Sequence, residues 1–154
     1  MVARHIRVAM LAAAISVASL AFTLGCADFE AAVDPSGGAP DVLVTNPSFA
    51  THIVPIFDQR CSQGGCHSVA TAQAGLVLTP DAAYDALVGV PATLGAGQLR
   101  VSPSKPDSSW LVAMIGPDAS ARRNLSRMPL ATHPLTENQI ANIVRWIEQG
   151  ALRN

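Results

Sequence analysis

Two cysteines and a histidine lie close together near the middle of this 154-residue chain, as Cys61, Cys66 and the directly following His67. Two thiols at such a spacing can add to the vinyl groups of a haem, after which the adjacent histidine lies under the ring with a nitrogen close to the iron. The same thiols could instead form a Cys61–Cys66 disulfide, with His67 on the surface. A zinc site is a third interpretation, but it requires four nitrogen or sulfur ligands, and the chain has no second pair of closely spaced cysteines.

The loop between the thiols is longer than in the common haem-attachment motif, because Ser62, Gln63, Gly64 and Gly65 separate the cysteines. The vinyl groups occupy fixed places on the porphyrin, so a longer loop must still return the second thiol to a set distance from the first. Glycine has the backbone freedom that an outward bulge requires. We therefore predict that Gly64 and Gly65 bulge away from the thiols.

A methionine far downstream provides a second donor, because Met128 lies in a polar segment without helical periodicity and is followed by Pro129. A thioether sulfur binds haem iron, and the fixed φ of proline stiffens the loop that holds it. Met114 lies on the apolar stripe of a predicted helix, where methionine usually fills a core, and we expect it to pack there. His133 is the alternative ligand to Met128, although a surface position is expected for it.

Three arginines, Arg122, Arg123 and Arg127, flank Met128 in the sequence. Such a cluster can pair with the carboxylates of a bound group or attract an acidic partner protein. Loop arginines are more often simply solvated, which is the expectation here.

The first 25 residues differ in composition from the rest of the chain. Arg4 and Arg7 precede an uncharged, mostly apolar run over 8–24, which is the layout of a secretory signal peptide. Cys26 follows at once and resembles the lipidated cysteine of bacterial lipoproteins, although Leu24 stands later than the lipoprotein pattern has its leucine. An uncleaved membrane anchor and plain secretion remain open. In each case we expect a periplasmic or cell-surface location, in an oxidising compartment.

The remaining chain is predicted to comprise a spacer and one domain. Residues 26–46 are predicted to comprise the lipidated Cys26 and a flexible tether. The tether is indicated by the many prolines and glycines and by the lack of an apolar period. Residues 47–152 form the predicted domain. The formal net charge of the whole chain is −1, and loss of the two signal-segment arginines makes the rest more acidic. Nucleic acid is therefore not an expected partner.

Periodic apolar residues predict an all-α domain of four or so helices joined by long loops. Ile53, Ile56 and Phe57 indicate the buried face of a first helix. A second helix is predicted to begin at a Thr79 cap and a third at Asp107 or Ser108. The last helix has a capping box at Thr136 and Gln139, an apolar face and a stop at Gly150. The apolar face consists of Ile140, Ile143, Val144 and Ile147.

Residues 48–152 resemble the single-haem cytochrome c family. The resemblance rests on Cys61, Cys66 and His67, on the Arg127-Met128-Pro129 segment, and on the closing helix around Trp146. These features follow one another in the family's order, with a helix before the haem motif and a late methionine loop. Variants with four residues between the cysteines occur among multihaem cytochromes. The chain looks closest to small cytochrome c-like domains of exported bacterial proteins.

The resemblance implies haem c as the cofactor, bound through thioethers from Cys61 and Cys66. It implies His67 as the proximal iron ligand and Met128 as the distal one. With both axial positions filled by protein, the implied activity is one-electron transfer with redox partner proteins outside the cytoplasm, not catalysis on a substrate. A haem peroxidase or sensor module of the same fold, and a haem-free, disulfide-closed lipoprotein that binds a partner, are the alternatives.

Overall fold

The structure, a computed structural model, describes residues 39–130 and 132–154. The predicted signal segment, Cys26 and most of the predicted tether lie outside the described residues. Within the described part, the regular elements are all helical, and the only extended pairings are isolated bridges such as that between Val88 and Val101. The all-α prediction is therefore confirmed for these residues. None of the described helices combines the length and the apolar character that crossing a membrane requires.

Four α-helices follow one another along the described chain, with shorter helical turns between them. A π-helical turn at Phe49–Ile53 runs directly into the first α-helix, and 3₁₀ turns occur at Gln73–Gly75 and Pro106–Ser108. The α-helices are α1 (Val54–Arg60), α2 (Ala83–Leu87), α3 (Trp110–Ile115) and α4 (Glu137–Glu148).

The first helical region forms where the apolar spacing predicts it. Ile53, Ile56 and Phe57 are each 0–1% exposed, as the periodicity indicates. Pro55 lies in the first turn of α1, where its missing N–H removes no helical hydrogen bond. The Ser48 hydroxyl accepts from the backbone N–H of Thr51 and so caps the preceding turn.

The last helix is the longest, and its capping box is confirmed. The Thr136 hydroxyl accepts from the Gln139 N–H, while the Gln139 side chain accepts from the Thr136 N–H. Two predicted residues of the apolar face, Ile143 and Ile147, are fully buried. Gly150, at a φ of +97°, follows the end of the helix, a conformation that favours glycine.

The middle helices begin later than the sequence predicts. Thr79 does not cap α2: its carbonyl accepts from the N–H groups of Ala82 and Ala83, and the helix starts only at Ala83. The third helix starts at Trp110, after the 3₁₀ turn that contains Asp107. Prolines and small residues in this region favour tight turns over a longer helix.

The core joins the π-helical turn, α1 and α4. The Phe49 ring lies 5.0 Å from the Trp146 ring and meets the Tyr84 ring edge-on at 5.2 Å. Such ring pairs add to the free energy gained by burying the apolar area. The largest buried side chains include these: Trp146, Phe57, Ile53, Ile56, Leu87, Ile143 and Ile147.

Residues 39–46, here called the strap, lie against α4, although the sequence assigns them to the flexible tether. The buried Asn142 amide accepts from the Val44 N–H and donates to the Val42 carbonyl, both at 2.8 Å. Arg145 also donates to the Val44 carbonyl at 2.8 Å. The packed part of the chain therefore begins before residue 47, and the predicted boundary between tether and domain is wrong in this respect.

Candidate functional site

The loop that carries the two thiols leaves the end of α1 and bulges into open space. A Cβ added at Gly64 or Gly65 would meet nothing within 4 Å, and Gly65 has a φ of +88°. The loop then closes on itself, because the His67 N–H donates to the Cys61 carbonyl at 3.1 Å. Gly64 and Gly65 are both exposed, as an outward bulge requires. The hydrogen bond from His67 to Cys61 brings the two ends of the longer loop back together.

Both thiols face a cavity of about 300 Å³, here called the thiol cavity. Neither Cys61 nor Cys66 is in a disulfide, and both are partly buried. The cavity wall also contains His67 and Met128, so residues far apart in the sequence meet there. The other lining residues are Arg60, Gly65, Gln73, Pro129 and Leu130.

A second, smaller cavity of about 80 Å³ adjoins the same histidine and is here called the apolar cavity. Its wall combines His67 and Arg100 with mostly apolar side chains. Among these are Leu76, Leu87, Leu94, Trp110, Leu111 and Met114. His67 is therefore common to both cavities, of which the larger contains the thiols and the smaller has a mostly apolar wall.

The His67 ring is held in place by the short extended segment at 76–78. Its Nδ1 lies 3.2 Å from the Leu76 carbonyl, which can only accept, so Nδ1 carries the proton in this contact. The Leu78 N–H donates to the His67 carbonyl at 2.7 Å. The neutral tautomer that this contact selects leaves Nε2 as the nitrogen with a free lone pair. The acceptor that orients the His67 ring is therefore the backbone carbonyl of Leu76.

Arg100 supports that segment from behind. Its guanidinium donates to the carbonyls of Ala74 and Gly75, and also to that of Ala86 in α2. Burial lowers the pKa of Arg100 from its ordinary value. Arg100 thereby ties α2 to the turn that precedes Leu76, and so helps to fix the carbonyl on which the His67 ring rests.

The surroundings of the two methionines differ from those that the sequence suggests. Met128, predicted in a polar loop, packs against the core cluster and lines the thiol cavity. Met114, predicted in the core, is partly exposed, does not belong to the core cluster and lines the apolar cavity. The Met128 N–H donates to the Met114 carbonyl at 2.9 Å, which joins the two main chains.

Arginines anchor the connection between α3 and α4, in which Met128 lies. Arg127 donates to the Ile115 carbonyl at 2.7 Å, and Arg60 donates to the His133 carbonyl at 2.6 Å. Arg122 donates to the carbonyls of Leu125 and Gly116. The expectation that these loop arginines are simply solvated is therefore wrong for Arg122 and Arg127, which hold backbone.

Arg60 is only 8% exposed, and its Nε has no hydrogen-bond partner among the described residues. Within that part of the chain, the one ion pair joins Arg153 to Asp85, so Arg60 has no carboxylate partner there. A buried donor without an acceptor is costly. Because Arg60 lines the thiol cavity, an acceptor on a bound group would satisfy it.

The remaining histidines of the described residues do not face either cavity. His133 is exposed and is absent from both cavity walls. His52 Nδ1 accepts from the Ser48 N–H at 3.0 Å and so belongs to the start of the π-helical turn. Of the imidazoles described, His67 is the one that lies beside the thiols.

Burial raises the pKa of the Cys61 thiol from 9.0 to about 12, against the lowering effect of the neighbouring Arg60 charge. The nearby Cys66 thiol adds to the increase. Cys61 is therefore a neutral thiol at physiological pH. The thioether that a haem requires contains no ionised sulfur, so this environment suits the linked form.

The donor set at the thiol cavity fits a haem. Two unpaired thiols, an imidazole with a fixed tautomer and a thioether line one wall, next to a buried Arg60 Nε without an acceptor. The described residues contain no group of three or more His, Cys, Asp or Glu able to hold a bare metal ion. A haem iron takes four ligands from its porphyrin and needs only axial donors from the protein.

Comparisons with protein-family models, with curated proteins and with solved structures each found no match for this chain.

Proposed function

We propose that this protein carries single electrons outside the cytoplasm by means of a covalently bound c-type haem. The observation that carries the proposal is the meeting of Cys61, Cys66, His67 and Met128 at one cavity. Only a fold that returns a late methionine to an early cysteine loop brings these four donors together. The helical order and the contact of α4 with the π-helical turn support the resemblance to cytochrome c.

Each thiol would hold the porphyrin by adding across one vinyl group. Each addition would form one carbon–sulfur bond and pass the thiol hydrogen to the other vinyl carbon, so no electron would be gained or lost. The open space around Gly64 and Gly65 supports this, because a bulge there would let both thiols approach a rigid ring despite the longer loop. The neutral Cys61 thiol retains the hydrogen that this addition consumes.

The axial positions would be occupied by His67 and Met128. Nε2 of His67 would be the donor, because Nδ1 contacts the Leu76 carbonyl, and such a contact fixes ring orientation and strengthens the imidazole as a ligand. The Met128 thioether favours the reduced state. When bound, the haem iron supplies a one-electron couple, and a site with both axial positions filled has no open position for a substrate.

The partner and the location belong to the same proposal. Redox partner proteins would approach the exposed apolar rim, where Leu94 and Leu130 are 54% and 65% exposed at the two cavities. A lipid on Cys26, preceded by a signal peptide over 1–25, would attach the protein to a membrane facing the periplasm or the cell surface. A protein that is anchored by a covalently attached lipid needs no membrane-spanning helix.

The deciding experiment is expression of the full chain together with a haem-attachment system. We expect a red protein whose intact mass is increased by one haem and whose haem resists acid–acetone extraction. The matched control is Cys61→Ser/Cys66→Ser, which keeps the size of both side chains and should give a colourless product. A colourless wild-type protein with both thiols free or oxidised would overturn the proposal.

The same preparation separates the alternatives. A disulfide-closed binding module would lose the mass of two hydrogens and gain no haem. A peroxidase or sensor of this fold would have haem but a high-spin ferric spectrum that changes on addition of cyanide. The electron carrier should instead show a sulfur-to-iron charge-transfer band at the red edge of the visible spectrum.

A further inference from the structure

Arg60, the last residue of α1, is a buried cation whose hydrogen-bonding capacity is largely unused. The residue is 8% exposed, and a guanidinium has five N–H donors. Among the described residues its guanidinium makes one hydrogen bond, from Nη2 to the His133 carbonyl at 2.6 Å, and the buried Nε has no acceptor. Burying a charged donor without an acceptor is costly. Arg60 is therefore suited to an acceptor that the described chain does not provide.

The described part of the chain also provides no carboxylate for this cation. The acidic residue nearest to it in the sequence is Asp58, which accepts from the Ser62 hydroxyl at 3.1 Å. Residues two positions apart on a helix do not face each other. The one ion pair of the described residues joins Arg153 to Asp85. Since buried charges are usually paired, a partner for Arg60 is expected from a bound group.

The wall of the thiol cavity indicates what kind of group that is. Arg60 lies in this wall together with both thiols, and the wall contains neither aspartate nor glutamate. Met128, Pro129 and Leu130 make another part of the wall apolar. The Arg60 charge acts at the Cys61 thiol, where it opposes the increase in pKa that burial causes. A ligand that suits this wall has an apolar body and a carboxylate on its periphery.

We propose that Arg60 is the carboxylate-binding residue of the thiol cavity and that its guanidinium pairs with a propionate of the bound haem. The inference rests on the proposed function and deepens it, because it assigns a second recognition element beside the thiols. The planar guanidinium matches the geometry of a carboxylate and can bind it through two parallel hydrogen bonds. The same side chain holds the His133 carbonyl, in the connection that also carries Met128. One guanidinium would therefore tie the ring to that connection.

Arg127 provides a matched comparison for Arg60. Its side chain donates to the Ile115 carbonyl at 2.7 Å, much as Arg60 donates to the His133 carbonyl, but it is absent from the wall of the thiol cavity. Arg60→Met and Arg127→Met each remove one cation and one bond to backbone. Only Arg60→Met removes the cation from the cavity wall.

The test is a titration of the full chain, produced without a haem-attachment system, with ferric haem and with its dimethyl ester. The ester has the same ring but no ionised carboxylate. Soret absorption gives the Kd of each ligand, and the ratio of the ester Kd to the free-acid Kd is compared among wild type, Arg60→Met and Arg127→Met. An effect of a substitution on folding cancels from this ratio, because both ligands bind the same protein. Arg60→Gln is a second variant, which removes the charge but keeps an N–H donor for the His133 carbonyl.

The wild-type ratio should exceed that of Arg60→Met and Arg60→Gln at least about tenfold, while Arg127→Met should keep the wild-type ratio. The inference is overturned if both Arg60 variants keep the wild-type ratio, if Arg127→Met lowers it equally, or if the wild-type chain does not bind the free acid in preference to the ester. The titration requires no covalent attachment, so its outcome is separate from that of the proposed function. A chain with the expected ratios that gains no haem mass beside a haem-attachment system would overturn the proposed function alone.

Discussion

The two ends of this domain are built by different means. Around α4, the π-helical turn and the strap, apolar side chains such as Trp146 and Ile147 are 0–1% exposed, and polar side chains pair with a distant backbone. Around the two cavities, turns are tied together by arginine-to-carbonyl bonds, and the thiols, His67 and both methionines are only partly buried. Two leucines that line the cavities, Leu94 and Leu130, are mostly exposed.

The difference teaches where stability and chemistry reside. The α4 end buries several large apolar side chains, and burial of each contributes about 1.5–3 kcal/mol. The cavity end holds its donors in a backbone framework and leaves space between them. A bound apolar ring would fill that space and cover part of the exposed rim.

The largest difference between the two ends is expected for a substitution of Trp146. Trp146→Ala removes the largest fully buried side chain, and we expect a loss of about 3–5 kcal/mol in the free energy of unfolding. Urea denaturation followed by circular dichroism measures it in the haem-free chain. Leu94→Ala at the cavity rim is the matched control. An equal loss in both variants would show that the two ends do not differ.

Alkaline pH should weaken the cavity end through Cys61. In the unfolded chain the thiol ionises near its ordinary pKa of 9.0, but in the folded chain it keeps its proton until about pH 12. The folded state then binds more protons, so the free energy of unfolding of the haem-free protein should fall between these pH values, by an amount on the order of a few kcal/mol. Denaturation across this range measures it. Cys61→Ala should lack this component of the fall, and an unchanged pH profile would contradict the prediction.

The strap offers a test of polar packing at the α4 end. Asn142→Ala removes both hydrogen bonds to the strap and leaves the Val44 N–H without its acceptor, for a loss of about 1–3 kcal/mol. Hydrogen exchange should increase at Val44 while the amides of the cysteine loop stay unchanged. Asn138→Ala, at a neighbouring and less buried amide of α4, is the control. Equal exchange at Val44 in both variants would contradict this role of Asn142.

Arg60 allows the cavity end to be loosened selectively. Arg60→Met keeps an unbranched chain but removes the donor to the His133 carbonyl. We expect hydrogen exchange near Met128 to become about tenfold faster, equivalent to about 1.4 kcal/mol of local stability. Exchange in α4 should not change. A uniform increase across the domain would mean that Arg60 supports the whole fold.

The smallest effect is expected at the exposed rim. Leu130→Ser should change the free energy of unfolding of the haem-free protein by less than about 0.5 kcal/mol, because Leu130 is 65% exposed. Thermal unfolding measures it, with Leu135→Ser, at a residue 4% exposed, as the buried comparison. A large loss at Leu130 would place it in the core.

Local signals in the sequence were sufficient for part of this structure. The capping box at Thr136 and Gln139, the buried positions of the first helix and the bulge at Gly64 and Gly65 each depend on residues near one another in the chain. Such features follow from short-range rules of capping, periodicity and backbone freedom.

Long-range partners account for what the sequence did not reveal. Asparagine on a helix is usually exposed to solvent. Asn142 is nevertheless buried, because the strap supplies its hydrogen-bond partners. Met114 matches an apolar stripe but lines the apolar cavity, whereas Met128, from a loop distant in the sequence, packs against the core cluster. The Leu76 carbonyl that holds His67 has no sequence signature at all, since any residue type provides one.

The contacts that hold His67 determine how much conformational entropy this residue would lose on binding a ligand. Its ring is already restrained by the Leu76 carbonyl and its backbone by the Leu78 N–H, so little rotational freedom is left to lose. A methionine side chain gives up about 1.5–2 kcal/mol when it is immobilised from full freedom. Met128, already packed on the core, would lose less of this than Met114. A ligand held by His67 and Met128 would therefore bind with a small loss of side-chain entropy.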